Sequence, residues 1–221
     1  MCGRFAQIEP ISNIVRAFFI DDILTEILPS YNIAPGSKIL SVVKKEGKRE
    51  LVDFQWGLVP HWAKDPAIGQ KMINARAETV GQKPSYRTPF KSRRCLIVAS
   101  GFYEWKKDGR IKIPFYVKLS SGAPFAFAGL YETWTSPGGI ELRTCTIITT
   151  EANGIMKPIH NRMPVILSHD REDKWLDISV QPEEVLAFLA PYPADEIEAY
   201  PVSTLVNSPK NNSIECIAPV H

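Results

Sequence analysis

The sequence has little that could cross a membrane. Its longest uncharged run, Leu119 to Tyr131, is broken by Gly122, Pro124 and Gly129, and a spanning helix needs about 20 apolar residues. No apolar segment follows the opening residues; Arg16, Asp21 and Asp22 interrupt the stretch where one would lie. No signal peptide is therefore expected, and Cys2 does not read as a lipoprotein cysteine. Only four cysteines are present (Cys2, Cys95, Cys145 and Cys216), and none forms a CxxC pair. This excludes the usual zinc-site and disulfide-framework patterns and points to a reducing, cytoplasmic compartment. Repeats, linkers and low-complexity stretches are absent as well. A single domain over residues 1–221 is expected, with no metal and no cofactor, acting as a monomer. The 221 residues are enough to bury a core without disulfide staples.

Strand signals dominate what is present. Residues Ile39–Lys44, Glu50–Leu58, Arg94–Lys106, Pro114–Leu119, Pro124–Trp134, Leu142–Thr149 and Met163–Leu167 alternate apolar with polar or are rich in Val, Ile, Phe and Tyr. Cys95 and Cys145 fall inside two of these runs and read as buried. Hairpin turns are expected at Lys107–Arg110 and Ser120–Gly122. Short helices are expected over 9–19, 21–28, Arg171–Leu176 and Pro182–Leu189, the last with proline at its first position. The tail from Glu198 to Val220 reads as one or two strands around a turn at Asn207–Asn212. Eighteen scattered prolines suit a loop-rich β fold. The fold class is α+β: a single domain with a mostly antiparallel, barrel-like β core and a few short peripheral helices.

Net charge is only +2, which by itself argues against a strongly basic nucleic-acid binder. Its distribution argues otherwise. Residues 1–118 hold 20 Lys and Arg against 11 Asp and Glu, and residues 119–221 hold 6 against 13, so +2 divides into +9 and −7. The densest basic stretch runs from Lys83 to Lys112. Such asymmetry suits a polyanion-binding face with salt-sensitive affinity.

Four polar features stand among apolar segments. Cys2 follows Met1, and a residue that small permits removal of the initiator Met. The chain would then begin with a 1,2-aminothiol, whose α-amine (pKa about 7.7–8.0) is neutral for roughly a tenth of the time near pH 7. Amine and thiol on adjacent carbons can both add to one aldehyde: a Schiff base forms, and the thiol closes a five-membered thiazolidine. Asn74-Ala75-Arg76 lies within a polar cluster over 73–79. Glu104 sits at the end of a strongly apolar strand, where a carboxylate is costly unless paired or functional, and suits general acid–base work. His160 leads into an apolar strand beside Arg162. Cys2, Glu104 and His160 also admit a cysteine protease, although no protease signature surrounds Cys2.

These features belong to an ordered set: Met1-Cys2-Gly3-Arg4-Phe5, Tyr31-Asn32-Ile33-Ala34-Pro35-Gly36, Trp56-Gly57-Leu58-Val59-Pro60, Asn74-Ala75-Arg76, Arg93-Arg94-Cys95-Leu96, Gly101-Phe102-Tyr103-Glu104-Trp105 and His160-Asn161-Arg162-Met163-Pro164. In that order they closely resemble the SOS-response-associated peptidase (SRAP) family, whose members crosslink to abasic sites in single-stranded DNA. The resemblance runs from Cys2 to about Asn207.

It implies Cys2 as nucleophile, Glu104 as acid–base carboxylate, His160 as an aid to ring opening, Schiff-base chemistry or reversal, and Asn74 as the amide that orients the abasic sugar and the Cys2 amine. It implies DNA contacts from Arg4, Asn32, Pro35, Trp62, Arg76, Thr149 and Arg162, with the arginines on phosphates and Trp62 as a wedge against stacked bases. The partner would be abasic single-stranded DNA, met in the cytoplasm at the nucleoid during DNA damage. The chain departs from many relatives in having Ala99-Ser100-Gly101 where they carry Ala-Asp-Gly, and its loop Pro60-His61-Trp62-Ala63 lacks a second aromatic. Two other functions remain open: a thiol peptidase that uses the same Cys2, and a non-covalent reader of single-stranded or modified DNA.

Overall fold

The computed structural model describes residues 2–220. In chain order its strands are β1 (Phe5–Gln7), β2 (Asp22–Ile23), β3 (Ser30–Ile33), β4 (Lys38–Lys45), β5 (Lys48–Trp56), β6 (Asn74–Arg76) and β7 (Arg94–Ala99). They continue with β8 (Gly101–Asp108), β9 (Ile111–Leu119), β10 (Phe125–Thr135), β11 (Glu141–Glu151), β12 (Arg162–Pro164), β13 (Ile166–Leu167) and β14 (Ile197–Pro201). Four short helices accompany them: α1 (Ile11–Ala17), α2 (Arg87–Ser92), α3 (His169–Leu176) and α4 (Pro182–Leu186).

Strands β11, β10, β7, β4 and β5 are neighbours in that order, and a parallel pairing of β11 with β5 (Thr144 opposite Gln55, Cys145 opposite Trp56) closes them into a barrel. All its other pairings are antiparallel. The expected barrel-like, mostly antiparallel core is present. Alternation along each strand explains the packing. Ile39, Phe54, Trp56, Cys95, Ile97, Phe127, Cys145 and Ile147 form one cluster with Phe5, Phe102 and Val117 of the second sheet. Leu40, Val42, Leu96, Val98, Ala126, Ala128 and Ile148 point the other way and pack against helix residues Ile14, Phe90, Trp175 and Val185. Each such aliphatic or aromatic side chain contributes roughly 1.5–3 kcal/mol on burial.

The second sheet has the order β14-β9-β8-β1-β3. Its outer face, with Ala6, Tyr103 and Tyr116, is covered by Val202, Val206 and Cys216 of the tail. The expected strand over 94–106 is in fact two, β7 in the barrel and β8 in the second sheet. The chain turns at Ser100, whose N–H donates to the Ala6 carbonyl at 2.8 Å and whose hydroxyl accepts from the Ile8 N–H at 3.0 Å. The Ser100 hydroxyl thus supplies an acceptor at the turn between β7 and β8. Gly101 follows because an added Cβ would lie 2.3 Å from Tyr116 Cζ.

The expected helix over 21–28 is not formed. Asp22–Ile23 pairs in parallel with Glu50–Leu51, and the Leu24 N–H donates to the Leu51 carbonyl at 2.9 Å. The Asp21 and Leu24 N–H groups donate to the Arg49 and Leu51 carbonyls, bonds that a helix over these residues would not make. The expected helix over 9–19 contracts to α1, and the tail carries β14 followed by 3-10 turns at Thr204–Asn207 and Ile214–Cys216. Among the described residues, no helix is long and apolar enough to cross a membrane.

Burial pushes the thiols of Cys95 and Cys145 up, together with the phenols of Tyr103 and Tyr116; Tyr86 is pushed up to about 12. The unfolded chain releases these protons from about pH 8.5 (Cys) and about pH 10 (Tyr), while the folded chain retains them. Stability is therefore full at neutral pH and declines as pH rises above about 8.5, by up to about 1.4 kcal/mol per pH unit for each group. Thermal melts at pH 7, 9 and 10.5 should show a midpoint that falls progressively; a flat profile would contradict the burial of these groups.

Candidate functional site

Cys2 precedes β1, whose ladder with β8 sets Phe5 opposite Phe102 and Ala6 opposite Gly101. That ladder brings Glu104 toward the chain's start. Cys2 is fully buried, and Glu104 is 3% exposed. Desolvation first, and then the nearby Glu104 charge, hold the Cys2 thiol well above its ordinary pKa; its Sγ lies 3.9 Å from the Arg4 carbonyl. Asn74 arrives from the barrel side on β6, which pairs in parallel with β11. Its amide donates to the Cys2 carbonyl at 2.7 Å, while its Oδ1 is buried with no hydrogen-bond partner. An acceptor oxygen held there unsatisfied is costly and suits a donor that arrives with Met1 removal or with ligand. The removal of Met1 itself lies outside the described residues.

His160 and Glu104 line one cleft of about 360 Å³, together with Trp105, Lys107, Lys112 and Asn207. The His160 Nδ1 lies 3.0 Å from the Arg162 backbone nitrogen and 3.2 Å from the Arg162 carbonyl, so the ring is anchored by the backbone whichever nitrogen carries the proton.

Thr149 is fully buried, and its hydroxyl donates to the Ala75 carbonyl at 3.3 Å. Arg162 donates to the Thr149 carbonyl at 2.6 Å and makes a two-pronged pair with Glu78 at 2.5 and 3.0 Å. The Arg162 bond holds the Glu78 carboxyl below its usual range. Arg76, opposite Thr149 in the ladder, is exposed and has no ion pair among the described residues. Arg4 and Asn32 are turned onto the tail. Arg4 donates to Asn32 Oδ1 and the Val206 carbonyl, both at 2.8 Å, and the Asn32 amide donates to the carbonyls of Val206, Ser208 and Asn211. Asn32 is buried and braces the tail.

None of the seven predicted DNA contacts is among the residues that line the cleft of Glu104 and His160. Pro35 lines a separate cavity of about 440 Å³ beside Trp56, Gly57 and Gly69. Trp62 is 53% exposed on a loop tied down on both flanks. The Trp134 indole donates to the Ala63 carbonyl at 2.7 Å; buried Glu132 accepts from Arg93 at 2.9 Å and lies 3.2 Å from His61 Nδ1. Glu78, Glu132 and Tyr86, whose hydroxyl donates to the Asn74 carbonyl at 3.3 Å, support the site without having been singled out from sequence. Glu78 lay within the recognised polar cluster, but its partner is 84 residues away. Among the described residues, no group of three or more His, Cys, Asp and Glu could hold a metal ion.

Cys2 and Asn74 are thus joined by a hydrogen bond, Glu104 acts electrostatically on the Cys2 thiol, and Glu104 shares a cleft with His160. The family model described as SOS response associated peptidase (SRAP) matches residues 1–209, and the chain belongs to that family. It is 52% identical to the abasic site processing protein YoaM of Bacillus subtilis, over 98% of this chain and 97% of that one. It is 32% identical to the abasic site processing protein YedK of Escherichia coli over the full length of both. The chicken abasic site processing protein HMCES is 36% identical over 87% of this chain and 66% of its own. A solved structure of a protein from Bacteroides thetaiotaomicron superposes with a TM-score of 0.91 at 26% identity, covering all of both chains.

Proposed function

We propose that this protein processes abasic sites in single-stranded DNA by forming a covalent crosslink through Cys2 after loss of Met1. The observation that carries the reading is the Asn74 amide bonded to the Cys2 carbonyl beside buried Glu104. The raised Cys2 thiol, on which Glu104 acts electrostatically, supports Glu104 as the carboxylate that serves this residue. The Cys2 amine would attack the ring-opened aldehyde, and water would leave to give a Schiff base. The Cys2 thiol would then add to the C=N carbon as its proton passes to nitrogen, closing a thiazolidine. Glu104 and His160 would shuttle the protons that open the sugar, expel water and deliver the thiol hydrogen. The product shields the lesion from strand cleavage.

An abasic site offers no base edge, so recognition must come from backbone charge, stacking and the aldehyde. Arg76 and Trp62, both exposed, are available for the first two. The test is a denaturing gel of the Met-processed protein with uracil-containing single-stranded DNA pretreated with uracil glycosylase. A stable adduct is expected, and none should form on intact DNA. Equal affinity for intact and abasic strands with no adduct would favour the non-covalent reader.

Glu104→Gln should slow adduct formation by about a hundredfold, with a much smaller change in affinity. A time course and a binding titration that fall in parallel would count against the acid–base role. The thiol-peptidase reading has the family description in its favour. Against it stands the Cys2 thiol, which burial and Glu104 keep protonated at neutral pH, whereas a peptidase needs the thiolate.

A further inference from the structure

Two hairpins of this protein set basic residues directly opposite one another; in one of them three of the four cations have acidic partners, in the other neither cation does. In the β4–β5 hairpin Lys45 faces Lys48 and Lys44 faces Arg49. Asp22 pairs with Lys48 at 3.3 Å, Asp173 with Lys44 at 3.5 Å, and Glu172 and Asp173 with Arg49 at 3.1 and 3.0 Å. In the β8–β9 hairpin Lys107 faces Lys112. Neither has an ion pair among the described residues, whose ion pairs involve other cations. Like charges opposite each other across a ladder cost stability, and here no ion pair among the described residues offsets that cost.

The placement of this pair is specific. Both lysines line the cleft that holds Glu104 and His160. Alternation puts Trp105, Lys107 and Lys112 on one face of the hairpin. Trp105 is itself held at the cleft wall, its indole N–H donating to Asn207 Oδ1 at 2.8 Å. Two ammonium groups on flexible stems, rooted about 4.5–5.5 Å apart, can converge on one tetrahedral anion without demanding a fixed orientation.

We propose that Lys107 and Lys112 form a phosphate subsite at the mouth of the cleft, which takes the backbone phosphate of a nucleotide flanking the abasic sugar. The identity of the ligand rests on the function proposed above; the subsite itself rests on the unneutralised pair and its position. A flanking phosphate held there anchors the strand while the sugar reaches Cys2, and it does so without regard to sequence.

The test uses single-stranded DNA with a tetrahydrofuran abasic analogue, which has no aldehyde and cannot crosslink. In Lys107→Ala/Lys112→Ala the slope of log affinity against log salt should become shallower by about 0.7 for each phosphate charge no longer neutralised. Affinity at low salt should fall on the order of tenfold. Lys107→Arg/Lys112→Arg should restore both. Lys45→Ala/Lys48→Ala removes the same charge from the hairpin that does not line the cleft and should leave the slope as in the wild type.

A neutral methylphosphonate walked along the strand should weaken wild-type binding at one or two positions beside the lesion and leave the Lys107/Lys112 double variant insensitive there. An unchanged slope in that variant overturns the subsite. So does an equal loss from the two hairpins, or a walk that reads the same in both proteins. A wild type that fails to crosslink natural abasic DNA, but keeps its lysine-dependent slope on the analogue, overturns the covalent function and leaves the subsite standing.

Discussion

Replacing Cys2 with alanine is expected to abolish the adduct that survives denaturation, while leaving a weaker adduct that borohydride can trap. The α-amine remains after the substitution and can still condense with the aldehyde to a Schiff base. The ring-closing thiol is gone, so the imine hydrolyses unless it is reduced. Cys2→Ala also tests the order of events. The thiol is fully buried and held protonated by desolvation and by Glu104, so first attack falls to the amine, a fraction of which is neutral near pH 7. A stable adduct in Cys2→Ala without reductant would remove the thiazolidine from the mechanism. Failure to trap anything with borohydride would instead place the thiol first.

The second large effect concerns stability. Arg94→Ala should lower unfolding free energy by about 3–5 kcal/mol, out of the roughly 5–15 kcal/mol typical of a domain. Arg94 belongs to the basic stretch that suggested a polyanion, yet it is 2% exposed and faces inward. Its guanidinium donates to the carbonyls of Trp175, Phe90, Lys91, Asp177 and Val180 at 2.6, 3.0, 3.3, 2.5 and 3.4 Å. It thereby closes the C-terminal ends of α2 and α3 against β7, and it lies 5.7 Å from the Trp175 ring centroid. Removal orphans several carbonyls and leaves a cavity. Arg94→Lys should recover only part of the loss, because an ammonium cannot span the fork. Urea unfolding should show the midpoint fall with an unchanged slope. A loss below about 1 kcal/mol would mean that water replaces the bonds.

Arg94 also shows what charge counting can and cannot read. The +9 half of the sequence is real, but its members have different fates. Arg94 is structural, Arg93 is tied to Glu132, and Lys107 and Lys112 meet across a hairpin. Only register separates them, and register is a tertiary fact. The barrel was legible because β4, β5, β7, β10 and β11 are long enough for alternation to show. Strands of three or four residues such as β1, β3 and β6 are too short for a period to emerge.

The segment 21–28 misled for a definite reason. Ile23, Leu24, Ile27 and Leu28 have helical spacing, yet Leu24 and Leu28 are 62% and 84% exposed, and the backbone is claimed by β5. At the site, Cys2, Asn74, Glu104 and His160 were visible through the family's ordered motifs and not through periodicity. Their supporting partners were hidden: Glu78 and Glu132 act 84 and 39 residues away, and Tyr86, only 12 residues from Asn74, reaches it through a fold that no sequence period marks.

The turn at Ser100 gives the site a divided ownership. Cys2 and Glu104 are carried by one two-stranded ladder of the second sheet, whereas Asn74, Thr149 and Arg162 ride on β11 of the barrel and its neighbours. The parts are held together by Phe5, Phe102 and Val117 wedged among barrel side chains and by the Asn74 bond to the Cys2 carbonyl. The groups of the proposed site are therefore aligned by the fit between two bodies and by neither body alone. Apolar substitutions in that wedge would be expected to detune the proposed chemistry while sparing every residue assigned to it.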